Sequence, residues 1–172
     1  MYKFERARIA PSTELTEEVQ PCRKGLIQGV VHDPMAVLYG GVAGNAGLFS
    51  NANDLAILLQ MNLQDGYYGG KQYLPRGVVQ TFARKQFKSN RRGLGWDKPG
   101  APNAPSPASV YASPDSYGHT GFTGVVVWVD PQYHLIYIFL SNRTYPDETD
   151  NRLSMENVRT RIHDVVYEAI TD

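Results

Sequence analysis

Two apolar runs set close together limit what this chain can fold into. Val125-Val126-Val127-Trp128-Val129 and Leu135-Ile136-Tyr137-Ile138-Phe139-Leu140 flank the turn-type segment Asp130-Pro131-Gln132-Tyr133. Both are too short for ordinary helices and rich in β-branched and aromatic residues, so they read as the two strands of a hairpin. Neither alternates apolar with polar residues, which predicts a sheet covered on both faces. A helix predicted over about 151–170 carries Met155, Val158, Ile162, Val165, Val166 and Ala169 on one stripe and is placed to cover one of those faces.

Helix punctuation is legible upstream. Asp33 as N-cap and Pro34 at the first helical position predict a short helix through about Leu38, stopped by Gly40-Gly41. Ser50 is read as the cap of a helix to about Gln64, with Leu55, Leu58, Leu59 and Leu63 on one face. Asp65-Gly66 ends it and Tyr67-Tyr68-Gly69-Gly70 reads as a turn. Pro75 opens a further helix with Val78, Val79 and Phe82 on one side, and Gly93-Leu94-Gly95-Trp96 reads as a short strand. Residues 88–117, with Pro99, Pro102, Pro105, Pro107 and Pro114, are the least regular by composition. Long irregular stretches of this kind are uncommon in compact domains unless they line a site. No long element is read in the polar segment 12–18, and Pro11 makes Ile9-Ala10 extended.

Composition excludes several function classes. Lys plus Arg equals Asp plus Glu, 17 each, so no broad electrostatic footprint for nucleic acid or an anionic membrane is expected. No apolar run approaches the roughly 20 residues of a transmembrane helix, and residues 1–8 lack the apolar region of a signal peptide. The single cysteine, Cys22, excludes an internal disulfide framework and is read as a small unreactive side chain rather than a nucleophile. His32, His119, His134 and His163 lack the close paired spacing of zinc motifs, so no metal and no cofactor are expected. The glycine run 40–47 is followed by Leu48-Phe49 instead of the Lys-Ser/Thr of a phosphate loop; it reads as a tight turn packed on a neighbour.

The chemistry concentrates in Gly118-His119-Thr120-Gly121-Phe122-Thr123-Gly124, directly before the first apolar strand. Glycines at a strand edge let a substrate or another backbone approach closely. His119 has little to pack against there, which favours a functional role; Thr120 and Thr123 also read as ordinary strand hydroxyls. The backbone N–H of Phe122, taken as an edge-strand group, is a candidate oxyanion donor. The other histidines have plainer readings: His32 a helix-start hydrogen bond beside Asp33, His134 a strand or turn residue, His163 a polar-face residue near Asp164. No nucleophile accompanies the motif. No serine is followed by a lysine three residues later, and neither a Gly-x-Ser-x-Gly elbow nor a Tyr-x-Asn element occurs. Tyr111-Ala112-Ser113 has the Tyr-x-Ser form but lies too close before His119 to be that element.

A series of segments, in order, resembles the C-terminal part of the serine β-lactamase-like hydrolases, the group of class C β-lactamases, penicillin-binding proteins and esterases. They are Gly29-Val30-Val31-His32-Asp33-Pro34-Met35-Ala36, Gly40-Gly41-Val42-Ala43-Gly44-Asn45-Ala46-Gly47-Leu48-Phe49-Ser50, Asp54-Leu55-Ala56, Gly93-Leu94-Gly95-Trp96, the motif 118–124, Asp130-Pro131 and Ser141-Asn142-Arg143. The resemblance implies an α+β fold, an antiparallel sheet with flanking helices, in which residues 1–172 form the C-terminal portion of one domain. Its helical-lobe part would cover about 30–90, and the cleft strand, hairpin and C-terminal helix about 117–172. By the same resemblance His119 assists proton transfer or orients substrate, Thr120 contacts the substrate's polar group, Gly121 leaves room and the Phe122 N–H is one oxyanion donor. The nucleophilic serine, its lysine and Tyr-x-Asn/Ser belong to a segment absent from this sequence, so acyl-enzyme chemistry has no first step. The expectation is a truncated or split form, inactive alone, with an exposed apolar surface and a dimer or complementing chain as partner. The substrate class implied is a small molecule or a peptide or peptidoglycan-like amide or ester. A non-catalytic peptidoglycan- or peptide-binding module is the competing reading. The compartment is open, periplasmic only by family analogy.

Overall fold

The computed structural model describes residues 9–11, 13–15, 23–101 and 104–171. Cys22, Pro102 and most of the polar segment 12–18 lie outside them. The chain divides into two compact units, one of residues 1–50, 122–124 and 141–153, the other of 51–121, 125–140 and 154–172.

In the first unit, β1 (Thr13–Leu15) pairs antiparallel with β2 (Gly25–Ile27). Helix α1 (Pro34–Leu38) begins as its sequence dictates: the Asp33 carboxylate accepts from the Ala36 N–H at 2.7 Å and Pro34 needs no donor there. Gly41 N–H bonds back to the Ala36 carbonyl at 2.8 Å and ends it. The glycine run is a tight turn, as read. A Cβ on Gly47 would stand 3.2 Å from the Gly41 carbonyl oxygen and 3.4 Å from a Val31 methyl.

In the second unit, α2 (Ala52–Leu63) is capped by Asn51, whose Oδ1 accepts from Asp54 N–H at 3.1 Å. The cap falls one residue after the expected Ser50, because Asn51 also donates to the Asp54 carboxylate at 2.8 Å. Leu59 and Asn62 are buried and Leu58 is 44% exposed, so the inward stripe runs through Leu59 and Asn62 with Leu55 and Leu63 half-buried beside them. Tyr67-Tyr68 is not merely a turn: β3 (Tyr67–Tyr68) pairs with β4 (Lys71–Gln72) across Gly69-Gly70. Helix α3 (Val78–Ala83) starts three residues after Pro75, buries Val79 and Ala83 and leaves Phe82 exposed. Residues 93–96 form a turn closed by Gly93 N–H on the Trp96 carbonyl at 3.0 Å, not a strand.

The predicted hairpin is present: β6 (Val126–Asp130) and β7 (Leu135–Phe139) pair antiparallel, and β5 (Tyr117–Thr120) pairs with β6 in the order β5-β6-β7. Strand alternation sends successive side chains to opposite faces. Val127, Val129 and Tyr117 meet Leu59, Val79 and Ala83 on one face; Val126, Trp128 and Tyr137 meet Ala108 and Val166 on the other. Both faces are covered, as the unbroken apolar runs require. Gly118 is paired with Trp128, and any Cβ there would lie 2.2 Å from the indole ring. Only glycine lets β5 lie flat against that tryptophan.

The C-terminal helix differs from its prediction. It breaks into α4 (Arg152–Met155) and α5 (Val158–Thr171), with Asn157 at φ +51 between them. In α5 the buried residues are His163 and Tyr167, both at 0% exposure, while Ile162 and Val165 are 40% and 61% exposed and Met155, in α4, 78%. His163, read as a polar-face residue, is a core residue. Its ring stacks on Tyr137 with centroids 4.1 Å apart and planes at 8°, and faces Trp128 and Tyr167 edge-on or tilted. Its Nδ1 accepts from the Ser109 N–H at 3.2 Å. This bond, and Asp130, tie the proline-rich segment down. The buried Asp130 carboxyl accepts from Ser113 N–H (2.8 Å), Ser113 O–H (2.6 Å), Gln132 N–H (3.0 Å) and Tyr167 O–H (2.5 Å). The architecture is α+β: antiparallel strand pairs with helices packed on them.

Candidate active site

Strand β5 is an edge strand among the described residues. Beyond it lies one isolated bridge, in which Asp97 N–H donates to the Gly118 carbonyl at 2.7 Å and Gly118 N–H to the Asp97 carbonyl at 3.0 Å. Past that bridge, His119 and Thr120 stand on the open edge. Alternation directs the Thr120 main-chain groups toward the same open side as those of Gly118. The register places the His119 side chain on the face of Val127 and that of Thr120 on the face of Val126, so the two do not share a face. Gly121 N–H donates to the Val125 carbonyl at 2.9 Å, one step beyond the last strand pair.

The His119 imidazole is exposed and is held at both nitrogens. Nδ1 lies 2.8 Å from the Thr120 carbonyl oxygen and Nε2 3.1 Å from Arg92 Nη1. Arg92 belongs to a small charged group. Arg91 grips the buried Asp97 carboxylate through Nε at 2.6 Å and Nη2 at 2.8 Å, while Arg92 approaches it only to 3.5 Å. Burial pushes the Asp97 carboxyl up, but the Arg91 hydrogen bonds, the Lys98 N–H and the two guanidinium charges together hold it below the ordinary carboxylate value.

Phe122 lies in the first unit. β5 ends at Thr120, so Phe122 sits in a turn and not on an edge strand as expected. Its ring is 63% exposed, carries the Arg143 guanidinium at 4.2 Å and lies 5.3 Å from the His32 ring. Residues 141–143 pin this turn. Ser141 O–H donates to the Gly124 carbonyl at 2.6 Å, Arg143 N–H to the Thr123 carbonyl at 2.9 Å and Arg143 Nε to the Phe122 carbonyl at 2.7 Å. Asn142 Nδ2 donates to the Pro11 carbonyl. His32 does not serve the helix start; its Nε2 lies 2.6 Å from the Glu148 carboxylate, because Asp33 already fills the cap. His134 is a turn residue at φ +51. Arg92 and Glu148 escape the sequence reading, since nothing local links Arg92 to a histidine 27 residues away. Among the described residues no three His, Cys, Asp or Glu side chains gather as a metal site, and no helix is long and apolar enough to cross a membrane.

The β-lactamase family model matches residues 6–159. The chain belongs to the β-lactamase family. It is 39% identical over 124 residues to a candidate D-alanyl-D-alanine carboxypeptidase of Salmonella typhi, covering 72% of this chain and 29% of that protein. It is equally similar, 39% over 129 residues, to one of Escherichia coli K12, covering 74% of this chain and 30% of that protein. The chain thus spans under a third of the length of these relatives. A crystal structure of a β-lactamase from Mycobacterium bovis superposes with a TM-score of 0.57 at 21% identity, over 74% of this chain and 47% of that one. That likeness establishes a β-lactamase fold for this family member.

Proposed function

We propose that this chain supplies the β5-edge wall of a serine hydrolase cleft acting on amide or ester bonds of peptide-like substrates. The supporting observation is the His119-Thr120-Gly121 triplet on an open strand edge in a β-lactamase-family fold. His119 accepts or relays a proton or orients substrate, Thr120 contacts its polar group, Gly121 leaves room and the Phe122 N–H stabilises developing oxyanion charge. The residues act as part of a single domain whose helical-lobe portion is about 30–90 and cleft portion about 117–172. The chain alone does not turn over substrate, because no serine here has the lysine partner that would activate it.

A second chain bearing Ser-x-x-Lys, or a second copy of this one, is the proposed partner. Leu38, Val42 and Leu48, exposed at 77%, 79% and 79%, support such an association; sedimentation velocity distinguishes it from a monomer. A peptide-binding module without chemistry shares the same wall and differs in needing no partner. The relatives' D-alanyl-D-alanine carboxypeptidase names supply the probe. Titrating a peptide ending in D-Ala-D-Ala into the labelled chain should shift the backbone amides of His119, Thr120, Gly121 and Phe122 and leave the peptide uncleaved. Shifts confined to other residues, or none, would reject the site.

A further inference from the structure

The hydrogen bonds around His119 determine which of its nitrogens carries the proton. A guanidinium has N–H donors and no acceptor. Nε2, 3.1 Å from Arg92 Nη1, therefore offers its lone pair and bears no proton. Nδ1, 2.8 Å from the Thr120 carbonyl oxygen, is bonded there only as a donor. The two contacts agree on one neutral tautomer, with the proton on Nδ1. The other partnered histidines show the opposite arrangement. Nε2 of His32 faces a Glu148 carboxylate oxygen at 2.6 Å and so carries a proton. Nδ1 of His163 accepts from a backbone N–H, which places its proton on Nε2.

We infer that Arg92 is the positioning residue of His119: it fixes the Nδ1–H tautomer, so that the atom presented at the β5 edge is a hydrogen-bond acceptor beside a cation. The charge is available because Arg91 already pairs with Asp97 through two short bonds, whereas Arg92 reaches that carboxylate only at 3.5 Å and has a side chain 51% exposed. The single contact to His119 lets the guanidinium yield to an incoming hydroxyl or amine, whose hydrogen then meets Nε2. In this state His119 receives a proton at Nε2 and does not give one. For the chemistry served, this deepens and rests on the proposed hydrolase reading; the tautomer itself does not.

The test is long-range 1H–15N correlation of the histidine rings in the full chain, at a pH where the imidazoles are neutral. His119 should show a protonated Nδ1 and a bare Nε2, the reverse of His163 in the same spectrum. Arg92→Met should lose that pattern at His119 and Arg92→Lys, which keeps a cationic donor, should retain it. An intact His163 pattern reports the fold in each variant. A wild-type His119 protonated on Nε2, an Arg92→Met spectrum unchanged at His119, or an Arg92→Lys spectrum like that of Arg92→Met would each overturn the inference. Should Arg92→Met disturb His163, the wild-type and Arg92→Lys spectra decide. A correct tautomer with no peptide-induced shift at β5 rejects the hydrolase reading and leaves this inference standing.

Discussion

Asp130→Asn should destabilise the chain by about 3 kcal/mol, a large part of the 5–15 kcal/mol typical of a folded domain. Both carboxyl oxygens of Asp130 are fully engaged, and each meets a backbone N–H: Oδ2 that of Ser113 and Oδ1 that of Gln132. An asparagine placed either way sets its NH2 against one of these donors. Ser113 O–H or Tyr167 O–H then loses its acceptor as well. Buried donors without acceptors cost about 1–3 kcal/mol each, and the damage is shared because one side chain joins the hairpin end, the proline-rich segment and α5. Tyr167→Phe removes a single donor and should cost only about 1 kcal/mol. Urea unfolding of the two variants separates these values. An Asp130→Asn cost below that of Tyr167→Phe would show that the network is not what fastens the segment.

The second large effect is a loss of stability in mild acid, traced to His163. Burial among Tyr137, Trp128 and Tyr167 pushes its imidazole down to about 4 from 6.5; the nearby Asp164 and Asp130 charges oppose the shift without cancelling it. A second proton would go to Nδ1, which now accepts from the Ser109 N–H and would face that donor, while among the described residues Nε2–H is buried with no hydrogen-bond partner, so the charge finds no compensation. Between pH 6.5 and 4 the unfolded chain binds a proton that the folded chain refuses. The stability from this group is therefore complete above about pH 6.5 and falls as pH drops, by up to roughly 1.4 kcal/mol per unit, reaching about 3 kcal/mol near pH 4. Asp97, held low by Arg91 after burial has pushed it up, is lost only further into the acid range. Denaturant unfolding at pH 7 and pH 4.5 reads the slope. His163→Phe should flatten it, whatever the variant's own cost at pH 7. An equal slope in both proteins would place the acid sensitivity elsewhere.

What the sequence made legible was local. The hairpin was readable because β-branched runs on either side of Asp130-Pro131 need no distant information, and α1 because Asp33 and Pro34 specify a helix start between them. The errors lie where distant partners decide. The polarity of imidazole points His163 to a polar face, yet the rings of Trp128 and Tyr137 build a flat apolar slot that a neutral imidazole fills. With His163 and Tyr167 turned inward, Ile162 and Val165 turn outward, against their hydropathy. Leu58 loses its place in the core for the same reason: α2 is rotated so that Leu59 and Asn62 face inward.

The candidate site was legible in part. The motif 118–124 stands out because glycines and polar residues precede an apolar strand, and Gly118 has a definite reason to be glycine in the ring of Trp128. Only the resemblance marks Ser141-Asn142-Arg143; its physical task is to hold the 122–124 turn through the Gly124, Thr123 and Phe122 carbonyls. Arg92 was invisible, since charge pairs across an irregular segment leave no periodic trace.

The claim that this chain holds a cleft wall without its nucleophile is tested most directly by turnover. The purified chain, given nitrocefin and a p-nitrophenyl ester, should release product no faster than buffer, and His119→Ala should change nothing. Release well above buffer that His119→Ala abolishes would contradict it.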